Sequence, residues 1–116
     1  MEDYNSQIKA QLDYILAIMA RRVGQEELVR IKDAFEFAQE AHKGQMRKSG
    51  APYIVHPLAV ARIVAEELQL GTNAVIAAFL HDVVEDTPYT IEDVKARCGA
   101  DVAFLVRVVT KQDKLH

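Results

Sequence analysis

Tryptophan is absent from this chain of 116 residues, cysteine occurs once, and there are only three prolines and five glycines. A lone thiol, Cys98, cannot close an internal disulfide, which excludes a stapled secreted scaffold. Its expected part is that of a small buried or half-buried hydrophobe, which suits a reducing compartment. So little proline and glycine excludes a collagen-like or low-complexity chain. Long apolar runs are missing too: none approaches the roughly 18 residues of a membrane helix. The N-terminus, MEDYNSQIKA, is acidic and polar rather than basic and then apolar, so it is not read as a signal peptide. Strong charge of either sign is also lacking, since 14 Lys and Arg stand against 17 Asp and Glu, a net charge of -3. Attraction to nucleic acid or to an anionic membrane is therefore not expected, and an anionic ligand has to be met by a local basic cluster. These exclusions leave a cytoplasmic protein with one small core over residues 1–116.

What the sequence has is helical period. Ile8, Leu12, Ile15, Leu16 and Met19 fall on one stripe of a helix from about Tyr4 to Arg21, and Gly24 ends this N-terminal segment of about residues 1–24. The motif-bearing core, 25–116, follows. Leu28, Ile31, Ala34, Phe35 and Ala38 predict a second helix stopping near Lys43, with Gly44 just past its end. The stretch GQMRKSGAPYIVH reads as an exposed loop in which Tyr53 to Val55 could be extended. Pro57 is expected to open a third helix with Leu58, Ile63, Val64 and Leu68 buried, ending by Gly71. Thr72 is the expected N-cap of a fourth, NAVIAAFLHDVVED, apolar almost all round and so the most enclosed. Thr87 and Pro88 stop it. Thr90 and Asp93 form a capping-box pattern for a short fifth helix to about Arg97, and Val102, Leu105, Val106 and Val109 begin a sixth. The fold class is all-α, about six helices around the fourth.

One stretch of that fourth helix defies ordinary stability. In HDVVED, His81 and Glu85, and Asp82 and Asp86, stand four apart, so four polar side chains share the last helical turns. Three carboxylates there face the negative end of the helix dipole and repel one another, each term costing about 0.3–1 kcal/mol when exposed. A solvated helix end would dilute that repulsion. An imidazole among carboxylates, though, can hold a divalent cation that cancels it. His56, before Pro57, is a second imidazole whose bland alternative is capping or packing. His42, near the end of the second helix, reads as a cation suited to the dipole, and His116 is the last residue.

Three motifs together are specific. AHKGQMRKSGAPYIVHPLAVA, AAFLHDVVEDT and CGADVAFLVRVVTK, in this order and spacing, resemble the N-terminal HD-type hydrolase domain of the RelA/SpoT family, which makes and degrades the alarmone (p)ppGpp. The resemblance runs from about Ala34 onward. It implies an HD-domain helical bundle, with His56, His81 and Asp82 as metal ligands and Glu85 and Asp86 as the catalytic pair. It also implies a basic loop, Arg47, Lys48, Ser49 and Gly50, framing the guanine nucleotide and its phosphates, with Tyr53 close behind. The implied metal is Mn²⁺; the donor types alone also accept Fe²⁺ or Zn²⁺. The implied reaction releases pyrophosphate from the ribose 3′ position, giving GDP or GTP.

Departures exist. Ala51 replaces a usual acidic residue, and VRVVTK brings Arg107 and Val108 where the family has VDGVTK. The family's fourth ligand is an aspartate well beyond VTK, and Asp113 matches it in neither context nor spacing, so it reads as solvated. The resemblance thus implies a fragment without the family's C-terminal helices, with little activity alone and an apolar surface open to self-association. Another HD phosphohydrolase, a non-catalytic nucleotide-binding module of a synthetase, and a purely structural helical module are the alternative readings.

Overall fold

The spacing read from the sequence becomes six helices in the computed structural model, which describes residues 3–114, with side chains described as far as Thr110. They are α1 (Tyr4–Ala20), α2 (Gln25–Ala41), α3 (Val55–Arg62), α4 (Thr72–Asp86), α5 (Ile91–Cys98) and α6 (Ala100–Lys114). Among the described residues there is no strand, only one isolated bridge between Met46 and Pro52. No helix there is long and apolar enough to cross a membrane.

The core lies around α4, whose Val75, Ile76, Ala77, Phe79, Leu80 and Val83 are all buried. Such a helix has no solvated stripe to spare, so it packs on several sides at once: against α2, α3 and α6. Phe35 of α2 meets Phe79 edge to face with ring centroids 5.7 Å apart, and Val102, Ala103 and Val106 bring α6 against the core. The stripe of α1 is buried as expected at Ile8, Leu12, Ile15 and Met19, with Leu16 half-buried. Arg22, just past α1, donates to the carbonyls of Ala65 (2.9 Å) and Leu70 (3.3 Å), fastening α1 to the end of the third helical segment. On the outer side of α6, Phe104 is 65% exposed beside Val108 and Val109.

Several boundaries differ from expectation. α3 begins at Val55, two residues before Pro57. Proline costs nothing there, because the first four N–H groups of a helix have no partner within it anyway. The expected buried face, Leu58, Ile63, Val64 and Leu68, is corrected to Pro57, Leu58, Ala61 and Ala65; Ile63 and Leu68 are exposed. Leu58, Ala61 and Ala65 stand three and four apart on one helical face, which Ile63, five residues after Leu58, misses; the two alanines on it allow close approach, and the segment continues as a π-helical turn at Ile63–Glu67. Thr72 does not cap α4: Gly71 is the N-cap and Thr72 the first helical residue, buried by packing. α2 ends at Ala41 rather than near Lys43, and Tyr53 turns into α3 instead of extending. The capping box of α5 forms as read, Asp93 N–H donating to Thr90 Oγ1 at 3.3 Å and Thr90 N–H to Asp93 Oδ2 at 2.9 Å. α6 starts two residues before Val102, directly after Gly99, whose φ of 98° is a conformation that glycine adopts without strain.

Candidate metal and nucleotide site

The last two turns of α4 carry the charged residues of HDVVED, and the packing of α3 brings His56 beside them. Asp82 is the pivot. Its Oδ1 lies 3.1 Å from His81 Nδ1, and its Oδ2 lies 3.5 Å from His56 Nε2. His81 Nε2 faces Glu85 Oε2 at 3.8 Å across one helical turn. One ligand atom each from His81, Asp82 and Glu85 falls within 4.8 Å of the others, a span that one ion can bridge. Separations of about 3 Å, as between His81 and Asp82, are those of neighbouring donors on an ion with bonds of about 2.1 Å. The residues fit a divalent cation, with Glu85 in reach of the same point as well as of water.

Asp82 is 8% exposed and yet ionised more easily than usual. The hydrogen bond with His81 holds its carboxyl below the ordinary aspartate range; burial opposes this, and a further bond from Tyr53 adds to it. The Tyr53 hydroxyl donates to Asp82 Oδ2 at 3.0 Å and to Asp86 Oδ2 at 3.3 Å. Burial, then the bond to the Asp82 carboxylate, pushes that phenol well above its usual pKa, so it stays a donor.

The basic loop is built by two anchors. Tyr53 N–H donates to the Gln45 carbonyl at 2.9 Å, closing residues 45–53 into a loop, and a tight turn within it joins Arg47 N–H to Ala51 O and Gly50 N–H to Arg47 O, both 2.8 Å. Gly50 takes a φ of 91°, which is why that corner is glycine. Arg47, Lys48, Ser49 and Gly50 are all exposed at its tip. Both anchors reach α4, since Gln45 Nε2 donates to the Asp86 carbonyl at 2.8 Å while Tyr53 holds the two carboxylates. A solvated basic turn is thereby tethered to the acidic end of α4.

Two residues of this site lay outside the expected set. His42 stands at the end of α2, as expected of a structural residue there, but its ring turns inward, is 2% exposed and lies tilted against Tyr53 with centroids 4.7 Å apart. Its Nδ1 lies 2.6 Å from Gln45 Oε1. The signal available was the His-x-x-Gln spacing, which reports a short helix-end contact and not its partners on α4. His116 lies outside the described residues, and Asp113 outside the described side chains. Cys98 is half-buried, with its thiol pKa raised by burial, as a packing role requires. A cavity of about 480 Å³ between α2, α4 and α5, lined by Arg30, Phe37, Arg97 and Cys98 among others, contains none of the site residues.

Comparison with known proteins gives the same direction. The chain is 59% identical over 78 residues to a guanosine-3′,5′-bis(diphosphate) 3′-pyrophosphohydrolase of Haemophilus influenzae, covering 67% of this chain and 11% of that protein. It is 48% identical over 91 residues to the bifunctional (p)ppGpp synthase/hydrolase SpoT of Escherichia coli, covering 78% and 13% respectively. The chain thus spans about an eighth of the length of these curated relatives. A solved structure described as a metazoan ortholog of SpoT that hydrolyses ppGpp superposes with a TM-score of 0.67 at 37% identity, over 70% of this chain and 47% of that one. The family profile described as HD domain matches residues 34–116, which contain every residue of the cluster on α3 and α4; the chain belongs to the HD-domain family.

Proposed function

We propose that this chain is an HD-type hydrolase domain that removes pyrophosphate from the ribose 3′ position of (p)ppGpp in the cytoplasm, leaving GDP or GTP, with Mn²⁺ bound in preference to Fe²⁺ or Zn²⁺. The observation that carries the reading is the grouping of His81, Asp82 and Glu85, with His56 3.5 Å from Asp82, on the helix whose last carbonyl, at Asp86, tethers the loop that bears Arg47–Gly50. The likeness of the chain to named (p)ppGpp hydrolases supports the substrate; Mn²⁺ is what the sequence resemblance implies. The donor set by itself does not separate the three ions.

His56, His81 and Asp82 would hold the ion. The chemistry such an ion supplies is polarisation of a phosphoryl oxygen and a lowered pKa for water. Glu85, one turn past His81, orients the attacking water or takes its proton. Asp86, fixed by Tyr53, holds that geometry or manages protons at the leaving group. Arg47 and Lys48 offset phosphate charge; the planar guanidinium of Arg47 also stacks on a base, and the Ser49–Gly50 corner leaves room for the nucleotide against the backbone. Tyr53 faces both sides, with its ring under the loop and its hydroxyl on the carboxylates.

The test is release of pyrophosphate from ppGpp with and without Mn²⁺, in the chain and in Glu85→Gln. Release should require Mn²⁺ and fall about 100-fold or more in the variant while Mn²⁺ still binds. Preference for another nucleotide would make the chain a different HD phosphohydrolase. Binding of Mn²⁺ and ppGpp without any turnover would make it a regulatory module.

A further inference from the structure

Beside the proposed ligands runs a set of contacts that ordinary packing does not require. His42, at the end of α2, is buried to 2% exposure and its Nε2 has no hydrogen-bond partner among the described residues. Gln45 fixes the identity of the other nitrogen. Its Nε2 must face the Asp86 carbonyl, which can only accept, so its Oε1 faces His42 and Nδ1 carries the hydrogen. A phenyl ring in the same place would fill the same space without a stranded nitrogen, so stability alone does not select histidine here.

The contacts of these two residues all lead to α4. The His42 ring lies against Tyr53 (4.7 Å, 40° between planes), and Tyr53 meets His56 edge-on at 5.9 Å. That stack sets where the Tyr53 hydroxyl reaches Asp82 and Asp86. Gln45 adds a second hold through the Asp86 carbonyl, at the last residue of α4. Asp82 has one oxygen turned to His81 and the other to Tyr53 and His56, so its orientation depends on the phenol staying in place.

We propose that His42 and Gln45 are positioning residues, a bracket from the end of α2 that fixes Tyr53 and the final turn of α4 and so presets the orientation of Asp82 for a divalent metal ion. Neither touches the ion. They act through Tyr53 and the α4 backbone, as partners that orient metal ligands do elsewhere, where their loss typically weakens metal binding about 10–100-fold. This inference rests on the metal reading above.

The experiment measures Mn²⁺ affinity by the electron paramagnetic resonance signal of free Mn²⁺, together with the metal-free melting temperature, in the 116-residue chain. His42→Phe keeps a ring against Tyr53 and loses the bond to Gln45; Gln45→Met keeps length and loses both of its side-chain bonds. Each variant should bind Mn²⁺ about 10-fold more weakly. His42→Phe should melt, without metal, at or above the temperature of the unaltered chain. A merely structural role predicts the opposite split, a lower melting temperature with unchanged affinity, and that result overturns the proposal. Loss in Gln45→Met alone removes His42 from the role. If the unaltered chain binds no Mn²⁺, the metal reading falls and this inference with it.

Discussion

Helices α4 and α5 follow one another in the chain and arrange charge in opposite ways. α5 places Glu92 and Asp93 in its first turn and Lys95 and Arg97 in its last, the order that a helix dipole favours, and opens with a complete capping box. α4 has no acidic residue in its first turn and no basic residue in its last, and ends on Asp82, Glu85 and Asp86. α5 is helical on local terms. α4 is held by what surrounds it, an apolar shell from three helices and a phenol from the loop, and its carboxylates with His81 are suited to take a cation. A helix that breaks the local rules is where the proposed site lies, and its neighbour that obeys them shows the rules were available to this chain.

The comparison can be broken most forcefully in the shell of α4. Phe79 is fully buried and packs on Phe35, so Phe79→Ala should cost about 3–5 kcal/mol in a urea titration, much of the stability of a small domain. Next in size is the metal term. At a Mn²⁺ concentration 100 times its Kd the folded chain should gain about 2.7 kcal/mol, read as a rise in Tm, and His81→Ala should lose most of it. An unchanged Mn²⁺ response in that variant would remove His81 from the ligand set.

Thr90→Ala, on α5, should cost about 1 kcal/mol through loss of the cap, equally with and without Mn²⁺. A different cost in the two conditions would show that α5 and the site are coupled after all. The smallest effect runs the other way. Glu85→Gln removes one of the repelling charges at the end of α4 and should raise metal-free stability by about 0.3–1 kcal/mol at low salt, a gain that fades as salt is added. A loss of stability instead would mean that Glu85 is held by its neighbours as a structural residue.

Much of this was legible in the sequence because it depends on near neighbours. The stripe Ile8, Leu12, Ile15, Met19 and the cap Thr90–Asp93 involve residues within a turn or two of each other, and both formed as read. The cluster on α4 was legible for the same reason: His81, Asp82 and Glu85 share a helix face by spacing alone. The π turn at Ile63–Glu67 was not, because nothing in IVAEE distinguishes it from ordinary helix. The tie of His42 and Gln45 to α4 was missed because it closes far along the chain, Gln45 and Asp86 being 41 residues apart.

The sequence by itself determined six helices, the capping box of α5 and an imidazole–carboxylate set at helical spacing, since each is decided by contacts within a few residues. Only the tertiary structure decided that His56 stands 3.5 Å from Asp82, that Tyr53, 29 residues before Asp82, holds its carboxylate, and that the basic turn is tied to the acidic end of α4. Those distances depend on how α2, α3 and α4 cross. The crossing is set by which apolar side chains fill the space between helices, and no stretch of sequence short enough to be read locally contains that information.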